Sequence, residues 1–224
     1  PEPGYLEELR ELCHRNGALL IFDEIVTGFR MSMGGAQEYF GVEPDLACFG
    51  KGMGNGFPIA SIVGPERLMR EFDEVFFSLT FGGETLSLAA CIATIDKMER
   101  SQVIPFMWQQ GQKLKDGFEY LLGAMDMGRF VEIVGYAPRS VVTFHEASGQ
   151  TSLLYKSLFQ QECIKRGVLF TTAHDLAFSH DDETVDETLR VYRAALEVLK
   201  DAIDRDTVET VLEGPPSVPV FRRP

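Results

Sequence analysis

ALLIFDE, residues 18–24, is an unbroken apolar run that ends on two carboxylates. Apolar residues without polar alternation, bounded behind by Gly17, predict a strand buried on both faces of a parallel sheet. DLACFGK (45–51) repeats the pattern and ends on a lysine 28 positions after Asp23. IASIVG (59–64) reads as a third strand and VFFSLT (75–80) as a fourth. Helical patterns surround these runs. YLEELRELCHR (5–15) has apolar residues at helical spacing, and Asn16-Gly17 closes it as a C-terminal cap would. PERLMREF (65–72) starts with a proline suited to the first helical position, and ETLSLAACIATIDKMER (84–100) carries a long apolar stripe. Strands alternating with helices predict α/β architecture.

Beyond Arg100 the character changes. Residues 105–125 are amphipathic, RFVEIVGY (129–136) and SVVTFHE (140–146) alternate like half-buried strands, and 152–166 is helical again. VLFTT (168–172) predicts a short strand and 182–204 a long helix. This set predicts a small α+β domain over 101–213, after an α/β part over 1–100. The proline-rich stretch 214–224 reads as a tail.

Composition narrows the function classes. The 224 residues are 45% hydrophobic, enough for a substantial core, and carry a formal net charge of −13. Such a surface disfavours nucleic acid and acidic membranes, which recruit clustered Lys and Arg. The apolar runs are far shorter than the roughly 20 residues that cross a bilayer. Cys13, Cys48, Cys91 and Cys163 form no C-x-x-C pair, so neither a zinc knuckle nor a disulfide framework is indicated, and a reduced, cytoplasmic location is expected. The chain starts at Pro1 with no secretory signal in view, and a missing upstream part is expected.

Several familiar motifs fail on spacing. FGKGMGNG (49–56) is not a phosphate loop, because Asp45 stands where a Walker A glycine belongs and Gly52 where Ser or Thr belongs. Gly52, Gly54 and Gly56 lack the third glycine at dinucleotide spacing. His174 and His180 are six apart, which is not metal-ligand spacing on a helix face, and no G-x-S-x-G elbow occurs. No metal site is predicted. What survives is a carboxylate and a lysine at the ends of two adjacent strands, on the edge where open α/β sheets bind ligands. From spacing alone, a sheet-edge ion pair or two separately solvated side chains explain them equally well.

The wider sequence around them reads LIFDEIVTGFR, GGAQEYFGVEPDLACFGKGMGNGFPIA and SLTFGGETLSLAA. These three motifs, in this order, resemble the class III pyridoxal-phosphate-dependent aminotransferases, and GGAQEYFGVEPDL resembles the glutamate-1-semialdehyde aminomutase branch. The resemblance is strongest over residues 3–100 and weaker to about 203. It implies part of a fold type I large domain followed by a small C-terminal domain, with pyridoxal 5′-phosphate as cofactor. It implies that Lys51 forms the Schiff base and then shuttles a proton as a free amine, in an apolar crevice that keeps it partly neutral. Asp23 is implied as the partner of the pyridine nitrogen, and Ile25, on the same side of the chain, as the aliphatic packed on the ring. Thr80 is implied as a cofactor-phosphate ligand given across a homodimer interface. Glu24 and Arg30 belong to the motif with structural or hydrogen-bonding roles expected. Glu84 and Thr85 depart from the Asn-Pro or His-Pro of many relatives.

Family members are about twice this long, so the chain is expected to represent their C-terminal half. The substrate expected is a small amine or amino acid, and Arg139 is a weaker candidate for its carboxylate. An aminotransferase is the favoured reading. Intramolecular transfer by an aminomutase remains an alternative, as does a cofactor-free interaction subunit, although the latter would have no need of Asp23, Lys51 and Thr80 together.

Overall fold

A computed structural model of the chain describes residues 1–77 and 79–218. They divide into two compact units, Pro1–Pro105 and Phe106–Pro224. In the first, helix α1 (Tyr5–Arg15) has acidic residues in its first turn and His14 and Arg15 in its last, matching the helix dipole. Strand β1 (Ile21–Asp23), helix α2 (Ala36–Phe40) and strand β2 (Leu46–Phe49) follow. A 3-10 turn over Lys51–Met53 leads to strand β3 (Ser61–Val63), helix α3 (Glu66–Met69), a second 3-10 turn (Arg70–Asp73) and helix α4 (Thr85–Arg100). The sheet order is β1-β2-β3, with β1 and β2 parallel and β3 antiparallel to β2.

Three sequence expectations change here. β1 is not covered on both faces: Ile21 is 55% exposed and Asp23, on the same face, is exposed as well, because none of the described residues buries that face. VFFSLT does not form a fourth strand, although its Ser78 lies outside the described residues. Phe77 instead packs edge to face on Phe72 of the preceding 3-10 turn, which carries the chain away from β3, and Phe76 stands 95% exposed. The helix expected over 65–72 is split, with Pro65 extended at ψ 145 as the cap of α3 rather than inside it.

The core of this unit gathers Ala47 and Phe49 of β2, Met53 of the 3-10 turn and Cys91 of α4, with Phe22, Phe29, Ile59 and Ile95 against them. Asp45 ties the other end together. Its carboxylate accepts the Leu20 N–H at 2.8 Å, meets His14 Nε2 at 2.9 Å and pairs with Arg67 at 3.6 Å. The Leu20 amide first, then His14, hold it below the ordinary carboxylate range.

The second unit continues α5 (Val103–Ala124), whose first turn belongs to the first unit. Strands β4 (Val131–Tyr136), β5 (Arg139–Phe144) and β6 (Ala173–Asp175) form an antiparallel sheet in that order. Helices α6 (Leu153–Lys165), α7 (Asp182–Asp204) and α8 (Val208–Val211) complete it. The strand expected over 168–172 is displaced to 173–175. The apolar signal came from Phe170, which buries itself among Phe144, Phe159 and Tyr192. Thr172, at φ 94, then turns the chain into the ladder.

Buried His174 on β6 meets Ser140 Oγ of β5 through Nδ1 and the Tyr192 hydroxyl of α7 through Nε2, each at 2.9 Å. Desolvation pushes its pKa down to about 4. The segment after α8 is tied back onto α6. The Glu213 N–H donates to Gln161 Oε1, Lys165 pairs with Glu213, and the Ser217 N–H donates to Ser157 Oγ at 2.8 Å. Among the described residues no helix is long and apolar enough to cross a membrane.

Candidate active site

Parallel pairing puts the carboxyl ends of β1 and β2 on one edge. Asp23 is the last residue of β1 and stands opposite Cys48, and Lys51 comes just after β2 ends at Phe49. With neighbouring strands about 4.8 Å apart, the carboxylate and the lysine rise from the same edge. Beyond Asp23 the chain is still held to β2 by the Glu24 N–H, which donates to the Cys48 carbonyl at 2.8 Å. It then turns back, with the Gly28 N–H donating to the Glu24 carbonyl at 2.8 Å. The turn orients the Asp23 carboxylate, whose Oδ1 accepts the Ile25 N–H at 3.0 Å.

Ile25 crosses toward β2. Its Cδ1 would lie 3.0 Å from a Cβ placed on Gly50, so glycine at 50 lets the aliphatic side chain settle beside the lysine-bearing segment. Lys51 itself has φ 42, a left-handed conformation that costs a non-glycine residue on the order of 1 kcal/mol and persists where surroundings enforce it. The enforcement is visible. The Met53 N–H donates to the Gly50 carbonyl at 3.0 Å, and Met53 is buried against the α4 side of the core, two residues from the lysine. The main chain is fixed from below while the Lys51 side chain is exposed. The apolar crevice expected around it is not formed by the described residues, because its neighbours Gly52, Asn55 and Gly56 offer little apolar bulk.

Thr80 lies in an exposed turn before α4, in which the Gly82 N–H donates to the Leu79 carbonyl and the Glu84 N–H to that of Phe81. The contacts that join Asp23, Ile25 and Gly50 do not extend to it. The departure at Glu84 has a local explanation: its carboxylate caps α4, accepting the Leu86 and Ser87 N–H groups at 2.8 and 2.6 Å and the Ser87 hydroxyl. Those bonds, the Ser87 hydroxyl foremost, hold it below the usual carboxylate range. Arg139 faces its strand partner Asp175 and donates to its carboxylate, so its guanidinium is engaged in a cross-strand ion pair within the second unit.

The sequence reading gave Glu24 only a generic role. It is 1% exposed, and its carboxylate accepts the Ala36 and Gln37 N–H groups, both at 2.8 Å, and the Thr27 hydroxyl. The available signal was a glutamate adjoining a buried strand with a hydroxyl three residues later and Gly34-Gly35 shortly after. Among the described residues, no group of three His, Cys, Asp or Glu side chains is arranged to hold a metal ion.

Comparison with known proteins identifies the family. The family model for class III aminotransferases matches residues 1–187. A glutamate-1-semialdehyde 2,1-aminomutase from Syntrophobacter fumaroxidans is 36% identical over 202 residues, covering 84% of this chain and 46% of the relative. A 3-aminobutyryl-CoA aminotransferase from Cloacimonas acidaminovorans is 37% identical over 206 residues, covering 89% and 49%. Among solved structures, an omega-transaminase from Sphaerobacter thermophilus superposes with a TM-score of 0.80 at 25% identity, covering 89% of this chain and 48% of that one. A Sphingopyxis protein solved in its PLP internal aldimine form shares the fold, with a TM-score of 0.81 at 24% identity over 89% and 48% of the two chains. The chain thus spans about half the length of the curated relatives it matches.

Proposed function

The chain belongs to the class III aminotransferase family, and from that premise we propose that the protein binds pyridoxal 5′-phosphate on the Asp23–Lys51 edge and moves an amino group between small amine or amino-acid substrates. The observation that supports this reading is the parallel pairing of β1 and β2, which brings Asp23 at the end of one strand and Lys51 just past the end of the other to the same sheet edge, with Ile25 lying against Gly50. That set fits the cofactor: a carboxylate suits a protonated ring nitrogen, a branched aliphatic suits a ring face, and an amine suits an aldehyde. When bound, pyridoxal phosphate supplies an aldehyde that condenses with amines and a ring that draws electrons from the carbon bearing the nitrogen.

The residues of this chain have separate tasks. Lys51 Nζ would be the amine that holds the cofactor and, when free, the base that takes the proton from the substrate α-carbon. The Asp23 carboxylate, oriented by the Ile25 N–H, would hold a protonated ring nitrogen. Ile25, seated over Gly50, would cover one ring face and exclude water from it. The exposed Thr80 hydroxyl would donate to the phosphate of a cofactor bound by a partner subunit. The exposed apolar side chains of Phe76, Phe81, Leu86 and Ile92, near it in the sequence, support a homodimer interface involving this segment.

A second reading, intramolecular transfer as in an aminomutase, is favoured by the names of several relatives, at 36% and 34% identity. Turnover of a diamine or amino-aldehyde without any oxo-acid acceptor separates the two. The site assignment is tested by adding pyridoxal phosphate, reducing with borohydride and mapping the labelled peptides. Label confined to Lys51, and lost in a folded Lys51→Ala variant, is the expected result; label scattered over surface lysines contradicts it.

A further inference from the structure

We infer that Glu24 is the positioning residue of this site: its buried carboxylate, by gathering the amide protons of Ala36 and Gln37 and the Thr27 hydroxyl, fixes the backbone from Asp23 to Ile25 and so sets where the Asp23 carboxylate stands relative to the Lys51 amine. The inference rests on the reading of Asp23 and Lys51 given above.

Burial alternates along the segment: Asp23 is exposed, Glu24 buried and Ile25 half-buried. Successive residues leaving a strand face opposite ways, so Glu24 is turned from the edge that Asp23 and Ile25 present. It touches no reacting atom and acts through its neighbours. A carboxylate taken out of water is costly unless its lone pairs are filled, and three donors fill them here. One, Thr27, lies in the excursion after β1, and the other two are the first residues of α2, where that excursion ends. The bonds therefore fasten that excursion to the end of β1, just where the Glu24 N–H fastens the same residue to Cys48 of β2. A single residue thus links the α2 start, β1 and β2.

The fit is close enough to dictate a neighbour. Gly35 has φ 84, and a Cβ there would lie 2.6 Å from Glu24 Oε2, so the segment approaches the carboxylate with no side chain between. The Asp23 carboxylate, by contrast, takes its orientation from the Ile25 N–H, within the backbone that Glu24 anchors. Loosening Glu24 is therefore expected to loosen Asp23 and to let Ile25 slip from Gly50.

The test is a double-mutant cycle on the full chain, read as the dissociation constant for pyridoxal 5′-phosphate, with amide exchange of residues 23–37 in the cofactor-free protein as a second readout. Asp23→Asn and Glu24→Gln are each expected to weaken binding about tenfold, and the double variant no more than about tenfold, because both act on one contact. Exchange at Ala36 and Gln37 is expected to speed up in Glu24→Gln only. Multiplying effects, or an unchanged affinity in Glu24→Gln, overturn the inference. If Glu24→Gln does not fold, Thr27→Val takes its place in the cycle, and Thr27→Ser, which keeps the hydroxyl, is expected to restore the coupling. Failure of borohydride to label Lys51 in the unsubstituted protein overturns the site reading and this inference with it. Labelled Lys51 with independent effects overturns this inference alone.

Discussion

Gly35 and His174 show how much single residues carry. Gly35→Ala would place a methyl against the Glu24 carboxylate and force a left-handed backbone on alanine. It is expected to lower unfolding stability by roughly 1–3 kcal/mol, measured by denaturant titration, and to weaken cofactor binding. His174 makes a prediction about pH. Its folded pKa of about 4 lies below the unfolded value near 6.5, so the unfolded chain takes up a proton that the folded one refuses as pH falls. The stability held above pH 6.5 is therefore lost between about 6.5 and 4, to the extent of roughly 3 kcal/mol. Thermal melts across that range are expected to show a decline that His174→Gln reduces. The places of Asp23 at the end of β1 and of Lys51 just past β2 were legible in the sequence because each closes an apolar run. The Glu24 network was not, since its donors come from residues 27, 36 and 37 and only the folded excursion brings them together.

At the scale of elements, helices announced themselves better than strands. α1 stops at Asn16-Gly17 as the sequence marks, while the structure shows Ser152 and Asp181 capping α6 and α7 by accepting the Tyr155 and Thr184 N–H groups. The apolar runs VFFSLT and VLFTT misled because apolarity reports burial or surface contact, and ladder pairing needs a free neighbouring edge as well. Glu84 illustrates a cap that does its work at a place read only as a departure from the family. Glu84→Ala is expected to destabilise the first turn of α4, with helix fraying measured by amide exchange over Thr85–Leu88. α4 packs against the 3-10 turn that bears Lys51, so the same variant is expected to broaden the environment of the lysine without unfolding the unit.

For the whole molecule, the exposed apolar residues exceed what a solitary chain needs. Leu19 and Ile21 of the β1 region, and Phe76, Leu79, Phe81, Leu86 and Ile92, all stand exposed on a chain of net charge −13. Sedimentation is expected to show self-association at micromolar concentrations. Ile92→Lys is expected to reduce it with little change in melting temperature, since the Ile92 side chain is 64% exposed on α4. Acid acts on the molecule at a second place besides His174. Asp45, held below its ordinary range, contributes stability above about pH 4 that fades as pH falls through its lower folded value. Below pH 4 α1 is therefore expected to detach first from β1 and α3, a change visible as loss of amide protection at Leu20.

The ties from Gln161, Lys165 and Ser157 to the segment 213–217 also bear on proteolysis. A protease needs an extended, released backbone in its cleft, and Ser217 offers a main-chain amide already engaged by α6. Cleavage between Glu213 and Ser217 is expected to be slow in the folded protein, followed by mass spectrometry, and faster in Ser157→Ala, so that cutting in this stretch reports on the integrity of α6.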